Sequence, residues 1–267
     1  VSRTREAVFA GSWYPGSETE LRRFIEEATP SVPRSRAAVL VGPHAGFRFS
    51  GAIAAETYAR VALPGTVVVL CPNHRVPPPV YAVWAEGAWK TPLGSSPVDE
   101  ALCRELIALG KPLLRADYRP HEQEHAIELH LPFIQFHRPD AAIVPIVVAT
   151  DSPGELAALG RTLARAVAGK DVLIVASTDM NHFESAEVGR RKDELALGRV
   201  LALDASGLFR VVEEEEVSMC GVRPTCVALH AARELGATRA ELVRYGNSGE
   251  VSGDMDSVVG YAGVLVR

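Results

Sequence analysis

The sequence is short of several things that common functional classes require. It has 4 cysteines in 267 residues and no C-x-x-C pair, which leaves no disulfide framework and no paired-thiolate zinc module. Cys71 closes an apolar run and Cys103 lies in a helical pattern, so both read as small buried hydrophobes. No apolar run approaches the roughly 18 residues of a membrane helix, and residues 1–10 (VSRTREAVFA) carry no signal-type apolar segment. A reduced, cytoplasmic protein with no membrane partner is expected. Basic charge is scarce as well: 28 Lys and Arg against 33 Asp and Glu give a formal net charge of −5. A phosphate backbone gains no net attraction from such a chain, so nucleic acid is not an expected partner. The P-loop G-x-x-x-x-G-K-[ST], the dinucleotide fingerprint G-x-G-x-x-G and the nucleophile elbow G-x-S-x-G are all missing.

What is present is a chain with 47% apolar and 23% charged residues, enough apolar material for a sizeable core. Short β-branched runs at 37–41 (AAVLV), 67–71 (VVVLC), 142–148 (AIVPIVV), 172–176 (VLIVA) and 258–266 read as strands. The first, second and fourth are continuously apolar, the pattern of strands covered on both faces. Pro145 inside the third predicts an edge strand or a bulge. Stretches 18–28, 51–61, 98–109, 124–136, 154–168, 186–205 and 222–235 repeat apolar residues at helical spacing. Ser17 and the run Asp151-Ser152-Pro153-Gly154-Glu155 supply helix starts, and the acidic run 213–216 reads as a solvated helix end. Alternating strands and helices without a linker or repeat predict a single α/β domain over 1–267, its central mixed, mostly parallel sheet covered by helices on both faces.

Three of the eight histidines follow directly on apolar strands: VLVGPHAG delivers His44, VVVLCPNH delivers His74 and LIVASTDMNH delivers His182. In open α/β sheets ligands bind beyond the carboxyl ends of the strands, so these imidazoles converge if their strands are neighbours. A neutral imidazole offers a nitrogen lone pair, which makes His44 and His74 the leading metal candidates. His182 comes with Asp179, a carboxylate close enough to orient an imidazole for acid–base work. Cys220 stands just before the helix that opens near Arg223, where a helix N-terminus is expected to stabilise its thiolate. A rival pattern is His121-Glu122-Gln123-Glu124-His125, which matches H-E-x-x-H and makes a zinc peptidase a remote alternative. Pro120 weakens it by placing His121 at a helix start. His130 reads as core or cleft wall, His137 as surface, and His230 as one face of the last helix.

At these residues the sequence resembles the Memo family, whose prokaryotic members are labelled the B component of a Memo/radical-SAM gene system. The resemblance opens with Arg5-Glu6-Ala7 and Ala10-Gly11-Ser12-Trp13-Tyr14-Pro15. It continues through Pro43-His44-Ala45-Gly46-Phe47, Pro72-Asn73-His74, Glu124-His125-Ala126-Ile127-Glu128 with Leu131-Pro132-Phe133, Ser177-Thr178-Asp179 with His182, and Cys220-Gly221. Ser252-Gly253-Asp254 and Val258-Val259-Gly260-Tyr261-Ala262 close it. The resemblance implies a fold like that of class III extradiol dioxygenases, non-haem iron enzymes that open catechol-type rings with O₂. It also implies metal ligation by His44, His74 and Cys220, with Asp179 and His182 as polar residues of the same pocket, and places His125 on a family position, where it is expected to line the pocket as a substrate-binding residue. His121 falls outside the pattern. Extradiol enzymes hold iron with two histidines and a carboxylate, whereas the third ligand here would be a softer thiolate, which also suits copper or zinc. The expected function is a metal-dependent redox enzyme acting on a small aromatic or peptide substrate, with a radical-SAM protein as its implied partner. The alternative is a metal- or peptide-binding scaffold on the same fold.

Overall fold

A computed structural model describes residues 3–75 and 80–267. In chain order its strands are β1 (Thr4–Arg5), β2 (Val39–Gly42), β3 (Thr66–Cys71), β4 (Val80–Val83), β5 (Ala88–Thr91), β6 (Gly94–Pro97), β7 (Arg115–Ala116), β8 (Ala142–Ala149), β9 (Val172–Ser177), β10 (His182–Glu184), β11 (Ala240–Asn247) and β12 (Val258–Val266). The main sheet runs β10-β12-β2-β9-β3-β8-β4-β7, with β11 also paired to β12. At its centre β2, β9, β3 and β8 are mutually parallel. β12 is antiparallel to β2, and β4 to β8, so the sheet is mixed. A small second sheet joins β1, β5 and β6.

The continuously apolar runs become the buried central strands, as their sequence requires. Every residue of β2 is buried. The helices Pro153–Val167 and Val222–Glu234 pack against each other, and the latter lies over β2, β3, β8 and β9. The helices Phe47–Ala59, Glu18–Ala28 and Leu131–His137 form a second layer, with Phe47–Ala59 against β2, β11 and β12. Local signals hold at the helix starts. Ser17 Oγ accepts from Glu20 N at 3.3 Å and donates to Glu20 Oε2 at 2.8 Å, a reciprocal cap that satisfies otherwise orphaned groups. Ser152 caps the helix that begins at Pro153.

Three expectations need correction. Pro145 does not mark an edge strand, because β8 lies between β3 and β4. It is tolerated where the β4 ladder stops at Val83↔Ile146, and its carbonyl accepts from Trp84 N at 3.1 Å. The expected helix over 124–136 is broken into His125–Glu128 and Leu131–His137. Glu124 is extended there and caps the first piece through its own carboxylate, while Pro132 lacks the N–H that a continuous helix would use. The expected helix over 186–205 ends at Leu201, because Leu203 takes a left-handed φ of 55° and Asp204 caps a new helix, Ala205–Glu214.

Candidate metal centre

Because β9 lies between β2 and β3, the three strand ends that carry histidines are neighbours. The loop after β2 brings in His44 and the loop after β3 brings in His74. The short helix His125–Glu128 adds a third imidazole. Ring centroids are 5.3 Å apart for His44 and His74, 5.2 Å for His44 and His125, and 4.7 Å for His74 and His125. One donor nitrogen from each lies within 4.8 Å of the other two. Cys220 arrives from the turn before Val222–Glu234, with its Sγ 3.2 Å from His44 Nε2. The following Gly221 is what allows that approach, since a Cβ there would lie 2.3 Å from the Ser177 carbonyl oxygen and from Thr178 Cβ.

Surrounding carboxylates and hydroxyls orient these donors. Glu124, wholly buried, accepts from His74 Nδ1 and from His74 N, both at 2.9 Å, and from Ala126 N at 3.0 Å. With Nδ1 engaged by Glu124, Nε2 is the His74 nitrogen left for a cation. His44 Nδ1 is 2.7 Å from Ser177 Oγ. Asp179 Oδ1 accepts from His44 N at 2.8 Å and Ala45 N at 3.3 Å, fixing the loop that carries the imidazole.

The electrostatics favour neutral imidazoles, which are the ligating form. Burial, then the neighbouring histidines, hold His44 well below the usual histidine range. Burial takes His125 down to about 4, against an opposing pull from Glu124. Burial would raise Glu124, but the hydrogen bond from His74 and the charges of His74 and His125 outweigh it and hold the carboxyl low. Asp179 is pushed up to about 7 by burial, despite its backbone donors. The expected thiolate at Cys220 does not form in the metal-free site. Burial and the Asp179 carboxylate raise that thiol, and the nearby helix start does not compensate. A cation is therefore what would release its proton.

The donor set fits a metal ion. It consists of three imidazoles, His44 and His125 buried and His74 exposed, with Cys220 Sγ beside His44 but outside the group of mutually close donors, and His125 Nδ1 is buried without a hydrogen bond. That nitrogen lies 3.3 Å from Glu124 Oε1 but outside hydrogen-bonding geometry. A buried donor or acceptor left unpaired is costly unless something else engages it. Among the described residues, His44, His74 and His125 make the one cluster of this kind.

His182 stands at the rim, half-buried. Its orientation is not set by Asp179, whose oxygen is engaged at His44. Instead His182 Nδ1 donates to the Ser218 carbonyl at 2.9 Å, and Ser218 Oγ accepts from His182 N at 2.7 Å. Asn181 anchors Ser218 in turn, accepting from Ser218 N at 3.0 Å. Burial lowers the His182 pKa, so the ring presents a neutral Nε2.

The H-E-x-x-H reading is overturned. His121 and His125 lie on two different short helices. His121 is fully buried elsewhere, its Nε2 3.2 Å from the Ala82 carbonyl and its ring edge-on to Trp84 and Trp89. Glu122 faces solvent. His130 is core, while His137 and His230 are half-buried away from the cluster, against Arg34 and Gly160 respectively.

The N-terminal segment completes the wall. Glu128, wholly buried, receives Arg5 Nη1, Phe9 N at 2.8 Å and Tyr14 OH at 2.8 Å. This pins Trp13 with its ring centroid 4.3 Å from that of His125. A cavity of about 270 Å³ opens beside the cluster, lined by Pro72, His74, Val148, Ala149, Cys220 and Arg223 among others. Glu124, Ser177, Ser218 and Trp13 had no assigned role in the sequence reading. Their adjacency to the motif histidines was the available signal for Glu124 and Ser177.

An α/β sheet with a cluster of three histidines beyond its parallel strand ends is the class that fold and site define. The chain belongs to the Memo family: residues 5–265 match the family described as "Memo-like protein". It is 38% identical to a MEMO1 family protein of Sulfolobus acidocaldarius, with 96% of each chain covered. It is 37% identical to one of Aquifex aeolicus, covering 98% of this chain and 99% of that protein. An uncharacterized Escherichia coli K12 protein of known structure shares the fold at a TM-score of 0.53 and 15% identity, covering 85% of this chain and 99% of that one. Among the described residues no helix is long and apolar enough to cross a membrane.

Proposed function

We propose that the chain is a metal-dependent redox enzyme centred on one iron ion, with His44, His74 and Cys220 as ligands and His125 as a further donor. The observation that carries this reading is the convergence of three imidazoles from separate chain segments, with the Cys220 thiol beside one of them. Bound iron would supply redox chemistry toward O₂ and a small aromatic or peptide substrate. The protein's own part is positional. Glu124 and Ser177 hold the His74 and His44 rings, and Asp179 holds the His44 loop. Trp13 shields one side of the cluster, and the cavity beside Cys220 admits the substrate. His182, half-exposed and held through Nδ1 by the Ser218 carbonyl, is placed to take a proton from a bound hydroxyl and return it.

A second reading is favoured by one observation, the thiol standing where extradiol enzymes use a carboxylate. Thiolate and imidazole together suit copper(I) or zinc, and such a site can bind without turnover. The test is metal analysis of protein purified without oxygen, followed by oxygen uptake with a panel of catechols and aromatic peptides. About one iron per chain, lost in His44→Ala, with uptake abolished in His182→Ala, is the expected result. Copper or zinc without uptake selects the second reading. Equally little metal in wild type and His44→Ala overturns both.

A further inference from the structure

Behind His44, away from the cluster, Ser177 leads to two further buried polar groups, His130 and Tyr58, that the proposed chemistry does not use. Ser177, His130 and Tyr58 are all fully buried. Ser177 Oγ lies 2.7 Å from His44 Nδ1, 2.9 Å from His130 Nε2 and 2.7 Å from the Ala126 carbonyl oxygen. His130 Nδ1 lies 3.0 Å from Tyr58 OH. Space for the second imidazole is provided at Gly42, whose absent Cβ would stand 3.3 Å from His130 Cε1.

Counting protons fixes the direction of every bond. The Ala126 carbonyl can only accept, so the single hydroxyl proton of Ser177 must go to it. Both imidazole nitrogens facing Ser177 must then be N–H donors, because two lone pairs cannot share so short a contact. A neutral His130 that donates from Nε2 presents a lone pair at Nδ1, and Tyr58 OH donates to it. His44, having its proton on Nδ1, carries a bare lone pair on Nε2, the atom that faces Cys220 Sγ. Burial keeps His130 neutral, taking it down to about 3.

We infer that Tyr58, His130 and Ser177 form a positioning relay that locks His44 in the tautomer offering Nε2 to the centre. The relay makes the donor available before any cation arrives, so binding needs no tautomer exchange or ring flip at this residue. Its effect on affinity rests on His44 being a ligand, as proposed above, whereas the tautomer itself does not. Ser177 is the keystone because it alone touches His44. Tyr58 acts one step further back, by donating to the lone pair that this leaves on His130 Nδ1.

The test has two independent readouts on the full chain. Nitrogen-15 NMR of histidine-labelled, metal-free protein at neutral pH reports which ring nitrogen of His44 carries the proton. Titration with zinc(II) against a chelating dye reports affinity. Wild type should show a single Nδ1–H form of His44. Ser177→Ala should show both tautomers and about 10- to 100-fold weaker zinc binding, the scale for losing a group that orients a ligand. If Ser177→Ala fails to fold, Tyr58→Phe serves instead, since it deletes one hydroxyl from an otherwise unchanged ring. That variant removes the donor to His130 Nδ1, so it should change the His130 ring signals and weaken zinc binding by a few-fold. An Nε2–H form of His44 in wild type overturns the relay, as do unchanged ring signals in both variants. The expected tautomers with no zinc bound by wild type would uphold the relay and count against the metal reading.

Discussion

The two ends of the central sheet carry cavities of different size and different chemistry. At the amino ends of β2 and β9 lies the larger, about 370 Å³, with Arg36, Lys170, Asp171 and Arg267 in its lining. Every cation there already faces an acid: Arg36 with Asp171 at 3.7 Å, Lys170 with Glu105 at 2.5 Å and Arg267 with Glu241 at 2.7 Å. At the carboxyl ends the cavity is smaller, about 270 Å³, yet imidazoles from distant segments converge beside it. Volume records where side chains leave a gap. Convergent donors record where chemistry can happen, and only the carboxyl end has them among the described residues.

That contrast can be broken by paired substitutions. The largest effect is expected for His44→Ala, which should reduce bound metal from about one equivalent to below about a tenth. Arg36→Ala at the other end should leave it unchanged, and elemental analysis of both variants decides. Next comes Glu128→Ala, which strands the buried Arg5 guanidinium and should cost about 3–5 kcal/mol in denaturant unfolding. His121→Ala should cost about 2–4 kcal/mol through a core cavity while metal content stays intact. His125→Ala should do the reverse, and this pair sharpens the distinction between a structural and a ligating imidazole four residues apart.

Acid should act on the same rings. His121 and His130 titrate at about 3 in the fold and His125 at about 4, against 6.5 in the unfolded chain. Between those limits the unfolded chain binds more protons. Stability of the metal-free protein is therefore complete above about pH 6.5 and falls as pH drops toward 4, by about 1.4 kcal/mol per pH unit for each ring. Urea midpoints measured from pH 7 to 4.5 check this, and a flat profile would show the rings are not buried neutral. Smallest of all is Arg36→Ala itself, an exposed pair whose loss should change stability by no more than about 0.5 kcal/mol.

The sequence is legible where local chemistry decides. β-branched runs without charge become the inner strands, and Ser17 with Glu20 sets a helix start. The histidines following β2 and β3 are found by position alone. What is not legible depends on partners far along the chain. β11 (AELVRYGN) has no clean alternation, because its pairing to β12 rather than its own pattern makes it a strand. Residues 124–136 keep helical spacing, but Glu124 turns its carboxylate to His74, 50 positions earlier, and caps a helix that ends at Glu128, before Pro132 opens the next. Asp179 lies three residues from His182 in sequence, and that proximity suggested a pairing. The fold instead spends its oxygen on the His44 loop, 135 positions away.

His44 and Cys220 are separated by 176 positions and come within 3.2 Å of each other. An ion clasping them would tie an early strand loop to a late helix, a closure that no unfolded chain could reproduce. Heat resistance should therefore track ion supply by mass action, gaining about 2.7 kcal/mol when free ion stands a hundredfold above its dissociation constant. The melting curve of the chain would then serve as a gauge of how much of that ion its surroundings hold.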